Sequence, residues 1–100
     1  MATTAEVFPP GAYLRDELAE RGWTGVQFAE IIGRPAQAVS EILNAKKSIT
    51  PETALQFEDA LGVSAETWLR LESAWQLHKA RSGQPKPPRL RNPDIYAPRA

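Results

Sequence analysis

One hundred residues, 42% of them apolar, are enough for a single domain with a modest core. The lack of cysteine removes disulfide frameworks and thiolate metal sites and makes a reducing cytoplasm the expected home, and neither a signal peptide nor a stretch of membrane-spanning length is visible. Twelve basic and twelve acidic side chains cancel, but unevenly: residues 1–23, 24–50, 51–80 and 81–100 carry −2, +1, −3 and +4, so any footprint on a polyanion must be a local patch.

Residues 1–7 have no cap and no periodicity and are expected to be frayed, ahead of one folded domain over residues 8–80. Pro9, Pro10 and Gly11 open a first helix with Tyr13, Leu14 and Leu18 facing inward and Arg15, Asp16, Glu17, Glu20 and Arg21 facing water; Gly22 ends it. From Thr24 to Asn44, apolar residues recur at helical spacing on both sides of Gly33: Phe28, Ile31 and Ile32, then Val39, Ile42 and Leu43. Thr24 with Gln27 forms a capping box, and Trp23 with Phe28 a hydrophobic staple. Gly33 can take the positive φ of a sharp turn, Pro35 can only begin a new helix, and Ala29 is small enough for two helices to cross closely. This pattern is a helix-turn-helix.

After the loop AKKSIT, Thr50 caps a fourth helix that has Pro51 at its first position and Glu52 near its positive end. Ala54, Leu55 or Phe57, and Leu61 are its buried candidates, Gly62 its stop, and Val63 a core plug. Ser64 caps a fifth helix with Trp68, Leu71 and Trp75 down one face. Leu69 and Leu77 lie off that face, so the helix is apolar on more sides than one small monomer covers, and a second copy is the expected cover. Residues 81–100 hold five basic residues and five of the nine prolines, which points to an extended, flexible tail.

From Phe8 to about Leu77, the ordered segments PPGAYLRDELAERGWT and VSEILNAKKSITPETALQFEDALGVSAETWLRLESAWQL resemble the HigA-type antitoxins, members of the repressor-like helix-turn-helix class. The resemblance implies an all-α, five-helix domain acting as a homodimeric repressor on its own operator DNA. It also implies neutralisation of a toxin of the HigB type, usually a ribonuclease, by a cytoplasmic protein that is nucleoid-associated when on DNA. The family's dimerisation region falls on the fifth helix, at Trp68, Leu71 and Trp75.

Recognition by this motif places the N-terminal part of the second helix, here Pro35 to Asn44, in the major groove. Gln37 can pair with adenine, Arg34 can reach guanine or a phosphate, and Ser40 can bond either kind of group. Lys46, Lys47 and Ser48 follow in a loop suited to backbone phosphates. Against the family pattern, Gly25 replaces a glutamine that grips phosphate, Ala36 replaces a polar side chain, and Ala45 replaces a glycine, a small change if the backbone there avoids positive φ. Glu58 stands where relatives have alanine, either exposed or with an unidentified partner. Specificity is then expected to rest on fewer contacts plus DNA shape. A single histidine, His78, gives no material for a triad or a metal cluster, so no catalysis, metal or cofactor is expected. The alternatives are a toxin-binding module with weak or no DNA binding, which the neutral charge and the missing handholds favour, and a repressor with no toxin partner. Lys86, Arg89, Arg91 and Tyr96 in the tail could follow phosphates, fold onto a toxin or simply be solvated.

Overall fold

A computed structural model describes residues 7–83, which form five α-helices: α1 (Pro10–Arg21), α2 (Gly25–Ile32), α3 (Ala36–Leu43), α4 (Pro51–Leu61) and α5 (Ala65–Gly83). The expected frayed start and most of the Pro-rich tail, with Lys86, Arg89, Arg91 and Tyr96, lie outside the described residues. The tail's first three residues instead continue α5 as far as Gly83. No helix among the described residues is long and apolar enough to cross a membrane.

Local chemistry sets most of the boundaries. Thr24 Oγ1 accepts from the Gln27 amide at 3.0 Å while the Thr24 amide donates to Gln27 Oε1 at 2.8 Å, completing the capping box of α2. Thr50 Oγ1 and Ser64 Oγ accept in the same way from the Thr53 and Thr67 amides. α2 packs on α3 and α4, α1 on α3 and α5, and α4 on α5. Through the middle runs a chain of rings: Trp23 and Phe28 with centroids 6.3 Å apart, Phe28 and Phe57 at 5.3 Å, and Phe57 edge-on to Trp68 at 5.2 Å. Each such pair contributes about 0.5–1.5 kcal/mol beyond the area it buries. Leu14, Leu18, Ala29, Val39, Ile42, Ile49, Ala54 and Leu61 close around the rings.

Several expected side-chain positions are corrected. Tyr13 and Ile31 are exposed, because Leu14 and Leu18 already fill the inner face of α1 and Phe28, Ala29 and Ile32 that of α2. Phe57, not Leu55, is the buried member of its pair. Leu69 packs against the core. Glu58 is half-buried. Arg21, expected in water, ties α1 to α4: its Nη1 donates to the Glu17 carbonyl and carboxylate at 2.9 and 2.7 Å, and its Nη2 to the Leu61 carbonyl at 2.8 Å. Leu61 ends α4, so its carbonyl has no partner within the helix and takes a cation instead.

Candidate nucleic-acid interface

Gly33 turns the chain between α2 and α3 with φ 75°, and Pro35 follows as an extended N-cap that offers no side-chain hydrogen bond. The first turn of α3 is therefore open. Ala36, Gln37 and Ser40 are exposed, while Val39 and Ile42 on the opposite face are buried. Gln37 Nε2 donates to Glu41 Oε2 at 3.3 Å. An amide nitrogen carries two hydrogens, so this contact orients the group while leaving one N–H and Oε1 for the N7 and N6 positions of an adenine.

Glu41 also joins the helix to the loop behind it. Its carbonyl accepts from the Lys46 and Lys47 amides at 2.8 and 3.2 Å, and its Oε1 lies 3.8 Å from Lys47 Nζ. Exposed Lys46 and Lys47 are thereby tied to α3 through Glu41. Ser48 is exposed but already engaged, accepting from Gln76 Nε2 at 3.0 Å. Arg34 is half-buried at the entrance to α3, and its Nε donates to Gln56 Oε1 on α4. The structure thus leaves Gln37, Ser40, Lys46 and Lys47 exposed and ties Arg34 and Ser48 back to the scaffold.

The proposed dimer residues separate as well. Trp68 is only 1% exposed and lies against Phe57 inside its own protomer, so it offers no surface to a second copy; the apolar stripe of α5 was wide because one part serves the monomer core. Leu71 is half-buried against that core. Trp75 is half-buried, with His78 stacked on its ring at 5.6 Å and Lys79 Nζ 5.9 Å from its centroid.

Three supports of this surface escaped the sequence reading. Gly11 is buried where α1 crosses the end of α3, and a Cβ there would fall 2.3 Å from the Ile42 carbonyl oxygen and 2.7 Å from that of Leu43. One turn on, Arg15 Nη2 donates to Asn44 Oδ1 at 2.9 Å, while Asn44 Nδ2 donates to the Ser40 carbonyl at 3.0 Å. Buried Glu72 accepts the Ile49 amide on Oε1 at 2.9 Å and Gln76 Nε2 on Oε2, so α5 holds the loop that carries the two lysines. One signal could have found it, since Glu72 lies four residues after Trp68 on the same helix face. Ala45, expected to be a small change if its backbone avoids positive φ, instead adopts φ 61°, so replacing the family's glycine does carry a backbone cost.

A protein-family model described as helix-turn-helix matches residues 14–68. Virulence-associated protein A of Dichelobacter nodosus is 38% identical over 72 residues, 70% of this chain and 71% of its own length. Among solved structures, a Pseudomonas aeruginosa protein in complex with 18 base pairs of its operator DNA is similar with a TM-score of 0.75 at 25% identity, over 82% of this chain and 89% of that one. The Pseudomonas aeruginosa antitoxin HigA, solved with the higBA promoter, gives a TM-score of 0.72 at 25% identity over 85% of this chain and 100% of its own.

Proposed function

The chain belongs to the helix-turn-helix family, and from that premise we propose that it is a dimeric repressor of its own operon and the antitoxin of a toxin-antitoxin pair, with a ribonuclease of the HigB type as its partner. The observation that carries the DNA-binding part is the open N-terminal half of α3, where Gln37 and Ser40 are exposed opposite buried Val39 and Ile42, with exposed Lys46 and Lys47 in the loop that follows. Similar proteins solved with operator and promoter DNA support the DNA-binding part of the reading. The second copy would contact the later turns of α5, where Leu77 is half exposed and Trp75 half-buried, and residues 76–83 are all exposed. A two-fold axis there would set the two recognition helices about 34 Å apart, one turn of B-DNA, and would require a palindromic operator.

The direct test is fluorescence anisotropy with DNA taken from upstream of the gene, at about 50 and about 200 mM salt. Specific binding that weakens as salt rises is expected; no binding even at the lower salt would end the repressor reading. A second reading, a module that binds only a toxin, is favoured by Gly25 and Ala36, which leave the motif short of polar handholds. Gln37→Ala combined with Lys46→Ala separates the two: the repressor loses operator binding and keeps toxin neutralisation, whereas the module has no operator binding to lose. Co-expression with a small reading frame beside the gene tests the toxin itself, since a frame that is harmless when expressed alone would leave a repressor with no toxin.

A further inference from the structure

The two positions that lack the family's polar handholds, Gly25 and Ala36, flank an exposed apolar side chain. Val26, next to Gly25 on the first turn of α2, is 58% exposed, and Ala36, which opens α3, is exposed as well. Together with Gly25 and Leu43 they line one shallow, mainly apolar concavity, whose remaining rim is Thr24, Gln37 and Ser40. Residue 25 adds no side chain to it, and a Cβ there would lie 3.2 Å from Leu43 Cδ1, on the same wall. Val26 contributes nothing to the core from this position, so its apolar surface is free to meet a partner.

We propose that Val26 and Ala36 read thymine through its C5-methyl group, next to the base that Gln37 reads by hydrogen bonds. This rests on the DNA-binding reading above and deepens it. In the major groove, thymine is the base that presents a methyl group, and small apolar side chains are its natural contacts. Duplex DNA is the occupant favoured by continuity, because the apolar floor and the polar rim form one surface and the amide of Gln37 is already oriented at its edge. The operator half-site would then carry a thymine adjacent to the adenine paired with Gln37, and the loss of polar handholds becomes a shift from hydrogen-bond readout to methyl readout.

Replacing thymine by deoxyuridine in the upstream DNA removes only the methyl group and leaves every hydrogen-bonding group in place. Full-length protein is titrated against a set of duplexes substituted one thymine at a time. The expected result is a loss of about fourfold at one or two thymines per half-site, the size expected for burying one methyl group, with the remaining thymines insensitive. Val26→Ala and Ala36→Gly, both exposed changes checked by circular dichroism, should each weaken binding to thymine DNA and bring it towards the uracil duplex; if glycine disturbs α3, Val26→Ala carries the test alone. Tight specific binding with no uracil-sensitive position, or sensitivity unchanged in the variants, overturns methyl readout and leaves the repressor standing. Failure to bind the unsubstituted duplex at all fails the earlier reading instead.

Discussion

The two ends of α3 are built on opposite principles. At its start, Pro35 caps without a side-chain bond and Ala36, Gln37 and Ser40 face outward. At its finish, the backbone of α1 presses against the carbonyls of Ile42 and Leu43 through Gly11, Arg15 bonds Asn44, Asn44 bonds Ser40, and the Glu41 carbonyl takes two loop amides. A short helix of eight residues has little stability of its own, so its direction must come from tertiary anchors. Concentrating those anchors at one end leaves the other free to meet a partner. Substitutions at the anchored end should therefore act on folding, and those at the open end on binding.

The largest effect is expected at Gly11. Gly11→Ala puts a Cβ where backbone oxygen already stands, and neither α1 nor α3 can yield without losing contact with the other. Overpacking against backbone costs about 3 kcal/mol, read as a fall in urea midpoint at unchanged m-value. Operator binding should fall with it, because the recognition helix loses its bearing. A stability change below about 0.5 kcal/mol would mean that the close crossing does not fix α3.

Glu72→Ala comes next. It strands the Ile49 amide among buried side chains and releases Gln76 from its position beside Ser48, at a cost of about 2 kcal/mol. Glu72→Gln keeps an acceptor oxygen for Ile49 and should lose much less. Equal losses in the two variants would show that charge, not acceptance of the amide, is what holds the loop.

How far these features could be read in the sequence follows the same division. Helix starts are local, so the Thr24–Gln27 box, the Thr50 and Ser64 caps and the Gly33 turn were legible from neighbours three residues apart. So was the open face, since a helix with Val39 and Ile42 inside must turn Gln37 and Ser40 out. The anchors were not legible, because they join residues far apart: Arg15 meets Asn44 across 29 positions and Ile49 meets Glu72 across 23. A charge at such a distance from its partner reads as solvated surface, and Gly11 reads as part of a helix start because the carbonyls crowding it belong to another helix. Trp68 misled for a related reason: periodicity identifies an apolar face but not whose core it enters.

At the open end, Gln37→Ala should leave stability within about 0.5 kcal/mol, since the side chain is exposed and alanine favours helix. Operator affinity should fall by about 1–2 kcal/mol at one base position per half-site, with little change on unrelated DNA. A uniform loss on all sequences would mean that Gln37 meets the backbone and that base reading lies elsewhere on the face.

The smallest effect sits at the junction between the two regimes. Ala45, at φ 61°, pays about 1–2 kcal/mol for a left-handed backbone, and glycine would remove that strain while gaining about 0.4–1 kcal/mol of unfolded-chain entropy. The difference leaves Ala45→Gly more stable by about 0.5–1 kcal/mol, a rise of a few degrees in Tm for a domain of this size. The turn at Ala45 delivers Lys46 and Lys47 to the Glu41 carbonyl in a geometry that hydrogen bonds also enforce, so the operator affinity and its salt slope should be unchanged. If the variant is more stable but binds more weakly, the alanine is holding the two lysines in place through stiffness, and the anchored end extends one residue further towards the DNA than its hydrogen bonds indicate.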